Sequence, residues 1–447
     1  VIKCLKNAVI LKHAYDTPVR QNLLIGDDRI IGFYPAEHVP KSDVIIDLDG
    51  MMIIPGMVQS HVHLPQVMFR GLADDLPLLS WLKEKIWPLE ASHDAESTYL
   101  SAMLGSMELI AGGVTTVCDM ESVLYAEESA RAIYEIGLRA VFGKVLMDYN
   151  DTPPELGGMP ETFFESTKET IDKAMELYHG WHGKANNRIH FAFMPRGILT
   201  TTEELLQELA HLSSETGCLI HTHACETRPE SELVEERRGL TEIKYLHKLG
   251  LTNERLLLAH CVCVDDDDIA ILREKKIGVV SCPLTNLKLG SGIAPLEKMR
   301  SENVHLAFGS DGAPCNNNLD IFQEMKFASL LQKGTLHEPT AMNARDTFDI
   351  ATRGGANSLG LDADIGTLEV GKKADLAVLD LDQHETAPLQ YSVSSLVYAG
   401  NPHMVRHVMI DGRWVYWNGE FPDLDVARLR EKALAAQKRV LSRYKNK

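Results

Sequence analysis

Imidazoles and carboxylates recur at the ends of four apolar runs in this chain: Ser60-His61-Val62-His63, His221-Thr222-His223-Ala224-Cys225-Glu226, Ala259-His260 and Ser310-Asp311-Gly312. In an extended segment, residues two apart face the same side, so each His-x-His pair presents both rings together. Neutral imidazoles joined by one carboxylate are what a Zn2+-type ion requires, with positions left open for water and substrate. The chain has 18 histidines, and most of them, such as His13, His179 and His384, are structural residues on this reading. It is the convergence of four motifs that points to a metal. Such an ion lowers the pKa of water from about 16 to about 7, and hydrolysis then needs a group that moves a proton to the leaving side. Glu226, three residues beyond His223, is placed for that work.

Those motifs must be brought together by the elements that carry them. Eight short apolar runs are the candidate strands: Ile53–Val58, Val114–Cys118, Ala140–Met147, Ile189–Met194, Cys218–His223, Leu256–His260, Gly278–Cys282 and His305–Ser310. They alternate with amphipathic helical stretches such as Thr202 to Leu212 and Asp266 to Leu272. Short buried strands alternating with helices imply βα units and a parallel sheet. Eight units over about 300 residues fit a (β/α)8 TIM barrel, whose active-site groups sit at the C-terminal ends of the strands. A doubly wound open sheet would want a glycine fingerprint after its first strand, and none is present.

The two ends of the chain read differently. Short strands fill residues 1–52 and return after about residue 360, at Leu376 to Leu379, Val405 to Ile410 and Trp414 to Trp417. Gly26-Asp27-Asp28, Asp411-Gly412 and Asn418-Gly419 supply hairpin turns. Chain ends usually lie close together, so both termini are expected to build one small β-sandwich. The expected fold class is α/β. Residues 1–55 form the N-terminal part of the sandwich, 56–358 the metal-dependent barrel, and 359–447 the rest of the sandwich with a terminal helix.

Strand geometry allots His61, His63, His223 and Asp311 to the ion. His221, two residues before His223, is expected to fill the barrel interior. His260 stands open, as a ligand or as a base and hydrogen-bond donor beside the reacting oxygen. A second ion would need a bridging side chain such as a modified lysine, whereas the fourth strand ends in Phe193-Met194-Pro195-Arg196. One divalent ion per chain is therefore expected, zinc first and iron second. Cys315 and Asn316-Asn317-Asn318 read as a packed turn, and Asp265-Asp266-Asp267-Asp268 as acidic residues favouring a helix N-terminus. The Pro-Cys-x-x-Cys signature of the cytidine-deaminase zinc site is missing.

Composition narrows the partners. Lys+Arg 45 against Asp+Glu 63 gives a net charge of −18, which argues against nucleic acid or an anionic membrane. A hydrophobic share of 45% supplies a large buried core. No run reaches the ~18 apolar residues of a membrane span, and the start lacks the apolar stretch of a signal peptide. The 8 scattered cysteines fit reduced thiols, so a cytoplasmic protein with a small-molecule substrate is expected.

Asp49-Gly50-Met51-Met52-Ile53-Ile54-Pro55-Gly56-Met57-Val58, leading into His61-Val62-His63, resembles the entry to the first barrel strand in the amidohydrolase superfamily. Leu258-Ala259-His260-Cys261-Val262, the run from Asn286 to Pro295, the run from Gly309 to Asn317 and Gly371-Lys372-Lys373-Ala374-Asp375-Leu376 are similar too. The likeness spans essentially the whole chain. It is closest to the deaminases of 5′-deoxyadenosine, methylthioadenosine and S-adenosylhomocysteine, with guanine deaminases and s-triazine hydrolases as neighbours. The resemblance implies metal ligands at His61, His63, His223 and Asp311, a proton shuttle at Glu226 and a catalytic imidazole at His260. It also implies a ribose-binding carboxylate at Glu90, in Ile86-Trp87-Pro88-Leu89-Glu90.

Two positions depart from that pattern. Arg196 stands where the group usually carries His, and Gln66 where it commonly carries Met. Gln and Arg at these places resemble guanine deaminases, where a fork of donors holds a ring carbonyl. Arg70-Gly71-Leu72-Ala73-Asp74-Asp75 and the Asn-rich segment after Asp311 are similar to the nucleoside group, so adenosine derivatives rank ahead of guanine-like rings. By analogy with barrels that carry terminal sheet modules, a homo-oligomer is expected.

The implied activity is hydrolytic deamination of an adenosine derivative to its inosine analogue and ammonia. Glu226 would protonate the ring nitrogen, with His260 and Asp311 orienting the attacking oxygen. The alternatives are an aminohydrolase or chlorohydrolase acting on guanine, another oxopurine or an s-triazine. In a different class stands a barrel without catalysis that serves binding or assembly. Such scaffolds typically lose metal ligands, and this chain keeps every one.

Overall fold

Strand β1 (Ile2–Ile10) buries Cys4, Leu5, Ala8 and Ile10, its register shifting between Leu5 and Ala8, and Leu5, Ala8 and Ile10 join one apolar cluster. It is followed by β2 (Val19–Gly26), β3 (Arg29–Pro35), β4 (Val44–Asp47) and β5 (Met51–Pro55). The next group runs β6 (Met57–Val62), β7 (Val114–Met120), β8 (Arg139–Gly143), β9 (Val145–Leu146), β10 (Ile189–Pro195), β11 (Leu219–Ala224), β12 (Leu256–His260), β13 (Gly278–Ser281) and β14 (His305–Phe308). The chain closes with β15 (Leu376–Asp380), β16 (Val405–Ile410) and β17 (Arg413–Trp417). The structure is a computed structural model that describes residues 1–151, 159–388 and 390–445.

Strands β6, β7, β8, β10, β11, β12, β13 and β14 pair in that order, all parallel, with β9 a short extension against β10. Asp311 closes the ring by donating its N–H to His61 O at 3.1 Å, in a parallel bridge with Val62. The two backbones approach so closely that a Cβ at Gly309 would stand 2.7 Å from His61 Cβ. Helices cover the outside, as a sheet buried on both faces requires. The acidic run serves one of them. Asp265 caps the helix Asp266–Glu274, and Asp268 returns the bond.

The terminal strands form a second sheet, ordered β17-β16-β15-β5-β1-β2-β3, so both chain ends do build one module. It is one continuous ladder in which β1 changes partner, from β4 at Lys3–Lys6 to β5 at Val9–Ile10. Leu5, Leu23, Ile25, Ile53, Val378 and Met409 from its two halves share one apolar cluster. A buried ion-pair network clasps the module to the barrel. Arg139 reaches Asp375 at 2.7 Å and Asp411 at 2.5 Å, and Lys373 joins Asp411 to Asp28 at 3.2 and 2.7 Å. The Gly371–Leu376 motif thus supplies Lys373 and Asp375 to this clasp.

Two strand expectations are corrected. The apolar run Ile53–Val58 is split at Pro55-Gly56. Ile53 and Ile54 pair with Val378 and Ala377 in the terminal sheet, and the first barrel strand begins only at Met57. A Cβ at Gly56 would lie 2.1 Å from Thr115 Oγ1, so glycine lets the chain cross between the sheets. Apolar residues alone do not say which of two sheets buries them. The run Ala140–Met147 is likewise broken at Lys144, whose ammonium bonds Glu165 at 2.6 Å, Thr170 at 3.0 Å and Val145 O at 3.2 Å.

The terminal helix Val426–Lys445 packs Ala433, Ala436 and Val440 against Met68, Phe69, Leu89 and Leu100. Among the described residues, no helix is long and apolar enough to cross a membrane.

Candidate active site

The C-terminal ends of β6, β11 and β14 deliver His61, His63, His223 and Asp311 to one point. His63 Nε2 lies 3.3 Å from His223 Nε2 and 3.2 Å from Asp311 Oδ1, and His61 Nε2 lies 3.4 Å from the same oxygen. Donors bound tetrahedrally at about 2.0–2.1 Å stand about 3.4 Å apart. The donor atoms all fall within 4.8 Å of one another. Set, spacing and ligand chemistry fit one divalent metal ion.

Each ring is turned so that its Nε2 faces the common point. His63 Nδ1 donates to Met120 O at 2.8 Å, and His223 Nδ1 donates to Arg196 O at 2.6 Å. His61 Nδ1 is 2.8 Å from His221 Nε2, and His221 Nδ1 is 3.1 Å from Leu257 O. Burial holds the His61 ring down to about 4 and those of His221 and His223 well below the usual imidazole range, so all three are neutral. Burial opposes ionisation of Asp311, yet the neighbouring His61 and His63 rings outweigh it and hold its carboxyl well below the usual carboxylate range.

A second cluster shares Asp311. His260 Nε2 lies 3.5 Å from Glu226 Oε2 and 3.9 Å from Asp311 Oδ2, while its Nδ1 pairs with Asn286 Oδ1 at 3.0 Å. Burial, and then the charge of Asp311, push the Glu226 carboxyl well above its ordinary range; Arg196 pulls the other way. This setting favours the acid form of Glu226. Cys225, His260, Cys261 and Asp311 all adopt positive φ, at 55°, 78°, 46° and 59°. Non-glycine residues held there cost of order 1–3 kcal/mol each, and such strain gathers at functional sites.

Glu90, Gln66 and Arg196 also meet. Gln66 Nε2 donates to Glu90 Oε1 at 2.9 Å, and Arg196 Nη1 stands 3.8 Å from Glu90 Oε2. Arg196 lies 5.9 Å from the centre of the Trp87 ring and lines a cavity above the histidines. Leu78, Trp81, Leu82, Trp87 and Leu199 form its apolar wall. Cys315 is wholly buried and gives its thiol proton to Gly312 O at 3.0 Å, as a packed turn residue does.

Sequence reasoning missed several supporting groups. Asn286 sits in a motif noted only for its likeness, with nothing local to mark it as the partner of His260. Glu230, in the first turn of the helix Arg228–Arg238, lines the same cavity. Glu242 accepts from Ser231 Oγ at 2.9 Å and braces the segment after Cys225, its carboxyl pushed up to about 7 by burial. His221 does more than fill the interior, since it bonds His61 directly.

Residues 52–415 match the model of the amidohydrolase family. The chain is 38% identical over 417 residues to the 5′-deoxyadenosine deaminase of Methanothermobacter thermautotrophicus, covering 93% of this chain and 94% of that one. It is 38% identical over 410 residues to the 5-methylthioadenosine/S-adenosylhomocysteine deaminase of Moorella thermoacetica, covering 91% and 92%. A zinc-bound adenosine deaminase from Xanthomonas campestris superposes with a TM-score of 0.91 at 30% identity, over 98% of each chain. With a closed parallel barrel, a shared donor set at its mouth and relatives aligned nearly end to end, the chain belongs to the amidohydrolase family.

Proposed function

We propose that this protein is a metal-dependent aminohydrolase that converts an adenosine derivative to its inosine analogue and ammonia. The candidate substrates are 5′-deoxyadenosine, methylthioadenosine, S-adenosylhomocysteine and adenosine. One observation carries the reading: Glu226, His260 and Asp311 converge within 4.8 Å, directly beside the donor set His61, His63, His223 and Asp311. The names of the similar deaminases support the same chemistry.

His61, His63, His223 and Asp311 would hold one ion, zinc before iron. When bound, that ion supplies acidified water, lowering a pKa of about 16 to about 7. Glu226, protonated by its buried setting, donates to the ring nitrogen beside the carbon that bears the amino group. That carbon becomes electrophilic. His260, anchored by Asn286, aims Nε2 at the attacking oxygen together with Asp311. A C–O bond forms to a water oxygen and the C–N bond breaks; one of the water's two protons is passed to the amino group, which departs as ammonia, and the other restores the acid form of Glu226. Glu90 receives the ribose hydroxyls, and the apolar wall receives the ring.

A second reading rests on Gln66 and Arg196, whose donors beside Glu90 suit the carbonyl of a guanine-like ring. Ammonia release from adenosine, 5′-deoxyadenosine, methylthioadenosine, S-adenosylhomocysteine, guanine and an amino-triazine separates the two. Nucleosides turned over ahead of guanine uphold the first reading; guanine ahead of every nucleoside transfers the function to the second. Elemental analysis identifies the ion, and sedimentation checks the homo-oligomer also proposed for this chain.

A further inference from the structure

We infer that His221 is a positioning residue that sets the tautomer of His61 and thereby holds one ligand of the ion in its binding form. The inference rests on the metal site proposed above.

The argument runs along one chain of hydrogen bonds. Leu257 O is a carbonyl and can only accept, so His221 Nδ1, 3.1 Å away, carries the proton. A neutral imidazole has one N–H, which leaves His221 Nε2 with a bare lone pair. That lone pair faces His61 Nδ1 at 2.8 Å, so His61 must donate from Nδ1. His61 Nε2 is then bare in turn. It is buried, has no hydrogen-bond partner among the described residues, and points toward Asp311 Oδ1 at 3.4 Å. A backbone carbonyl on β12 thus dictates, through one ring on β11, which nitrogen of a ring on β6 is free to bind. The link spans the barrel interior, because β6 and β11 lie four strands apart in the ring.

The other two imidazoles are fixed without such an intermediary. His63 and His223 donate to Met120 O and Arg196 O, which every residue type at those positions would supply. Among the three, His61 alone depends on a side chain for its orientation. Removing that side chain frees the His61 ring to place its proton on Nε2, where it would face Asp311 and exclude a cation. The whole stack is buried, so no water replaces the lost acceptor.

The test compares His221→Phe, which keeps a ring and loses the acceptor, with His221→Gln, whose amide can accept from His61 and donate to Leu257 O. Zinc affinity of purified protein is measured by competition with a chromogenic chelator, alongside the thermal midpoint of metal-free protein. The expected result is zinc bound about 10–100-fold more weakly by the Phe variant, with the Gln variant within a few-fold of the native chain. Native affinity in the Phe variant overturns the inference. If the Phe variant does not fold, nitrogen-15 histidine spectra of the native metal-free protein decide: a proton on His61 Nδ1 supports the inference, and one on Nε2 overturns it. Failure of the native chain itself to bind zinc, iron or another divalent ion strikes the metal reading and is distinguishable from either outcome.

Discussion

Glu226 Oε2 and His260 Nε2 stand 3.5 Å apart, and both are buried against Asp311. In the proposed reaction a carboxylic acid and an imidazole so placed would divide the proton work: the acid would donate to the ring and the imidazole would steer oxygen. Glu226→Gln keeps shape and removes the transferable proton. Turnover is expected to fall about 10²–10⁴-fold, with metal content unchanged by elemental analysis. Because burial raises the Glu226 pKa, the acid form is present below that value and lost above it, so kcat of the native enzyme should fall as pH rises through it. Near-native activity in the Gln variant would remove Glu226 from the mechanism.

Asn286 fixes which nitrogen of His260 faces the site. Asn286→Ala leaves buried His260 Nδ1 without its partner at 3.0 Å. Orphaning such a group costs about 1–3 kcal/mol, and kcat should drop about 5–150-fold while KM changes little. Asn286→Asp, which still accepts, should recover part of the loss in steady-state assays.

Glu90 and Arg196 report on the substrate. Glu90→Ala should raise KM for nucleosides and leave free bases nearly unaffected. Hydrogen bonds to charged groups contribute about 1.5–3 kcal/mol, so kcat/KM for the preferred substrate should fall about 10–150-fold in Arg196→Ala. A loss confined to guanine would show that the ring carbonyl is what Arg196 holds.

The clasp between sheet and barrel carries stability. Arg139 and Asp375 are each 2% exposed, and Arg139 also bonds Asp411. Burial works against the Arg139 charge, but Asp375 and Asp411 outweigh it and raise its pKa. Arg139→Met leaves buried Asp375 without its cation, while Asp411 keeps Lys373, and should cost about 3–5 kcal/mol in denaturant unfolding. A change below about 1 kcal/mol would mean the pair is solvated.

Glu324 makes stability depend on pH. Its carboxyl is pushed up to about 8, chiefly by burial, while Asn316 and Leu284 N–H pull it down. The folded state therefore holds a proton that the unfolded chain releases near 4.5. The resulting stability is complete below the unfolded value and is lost as pH rises from there toward about 8, by at most about 1.4 kcal/mol per unit. Glu324→Gln should flatten that slope in unfolding midpoints taken across the window.

The barrel was legible because β-branched and leucine-rich runs recur with helical stretches between them, and the convergence of the candidate donors because His-x-His in an extended strand admits one orientation. These are local facts. Pairing Glu90 with Gln66 and Arg196 was not legible as a contact, since the three lie on separate segments. The split of the 53–58 run depended on a glycine passing Thr115, an approach that only folded backbones make.

What the sequence by itself determined is the inventory: which strands end in imidazole or carboxylate, and that both termini supply strands of one module. Tertiary structure decided the couplings, namely Asn286 to His260, His221 to His61 and Arg139 to Asp375. The physical reason is that a hydrogen bond depends on direction and distance in space, whereas sequence periodicity records only which face of its own element a residue occupies.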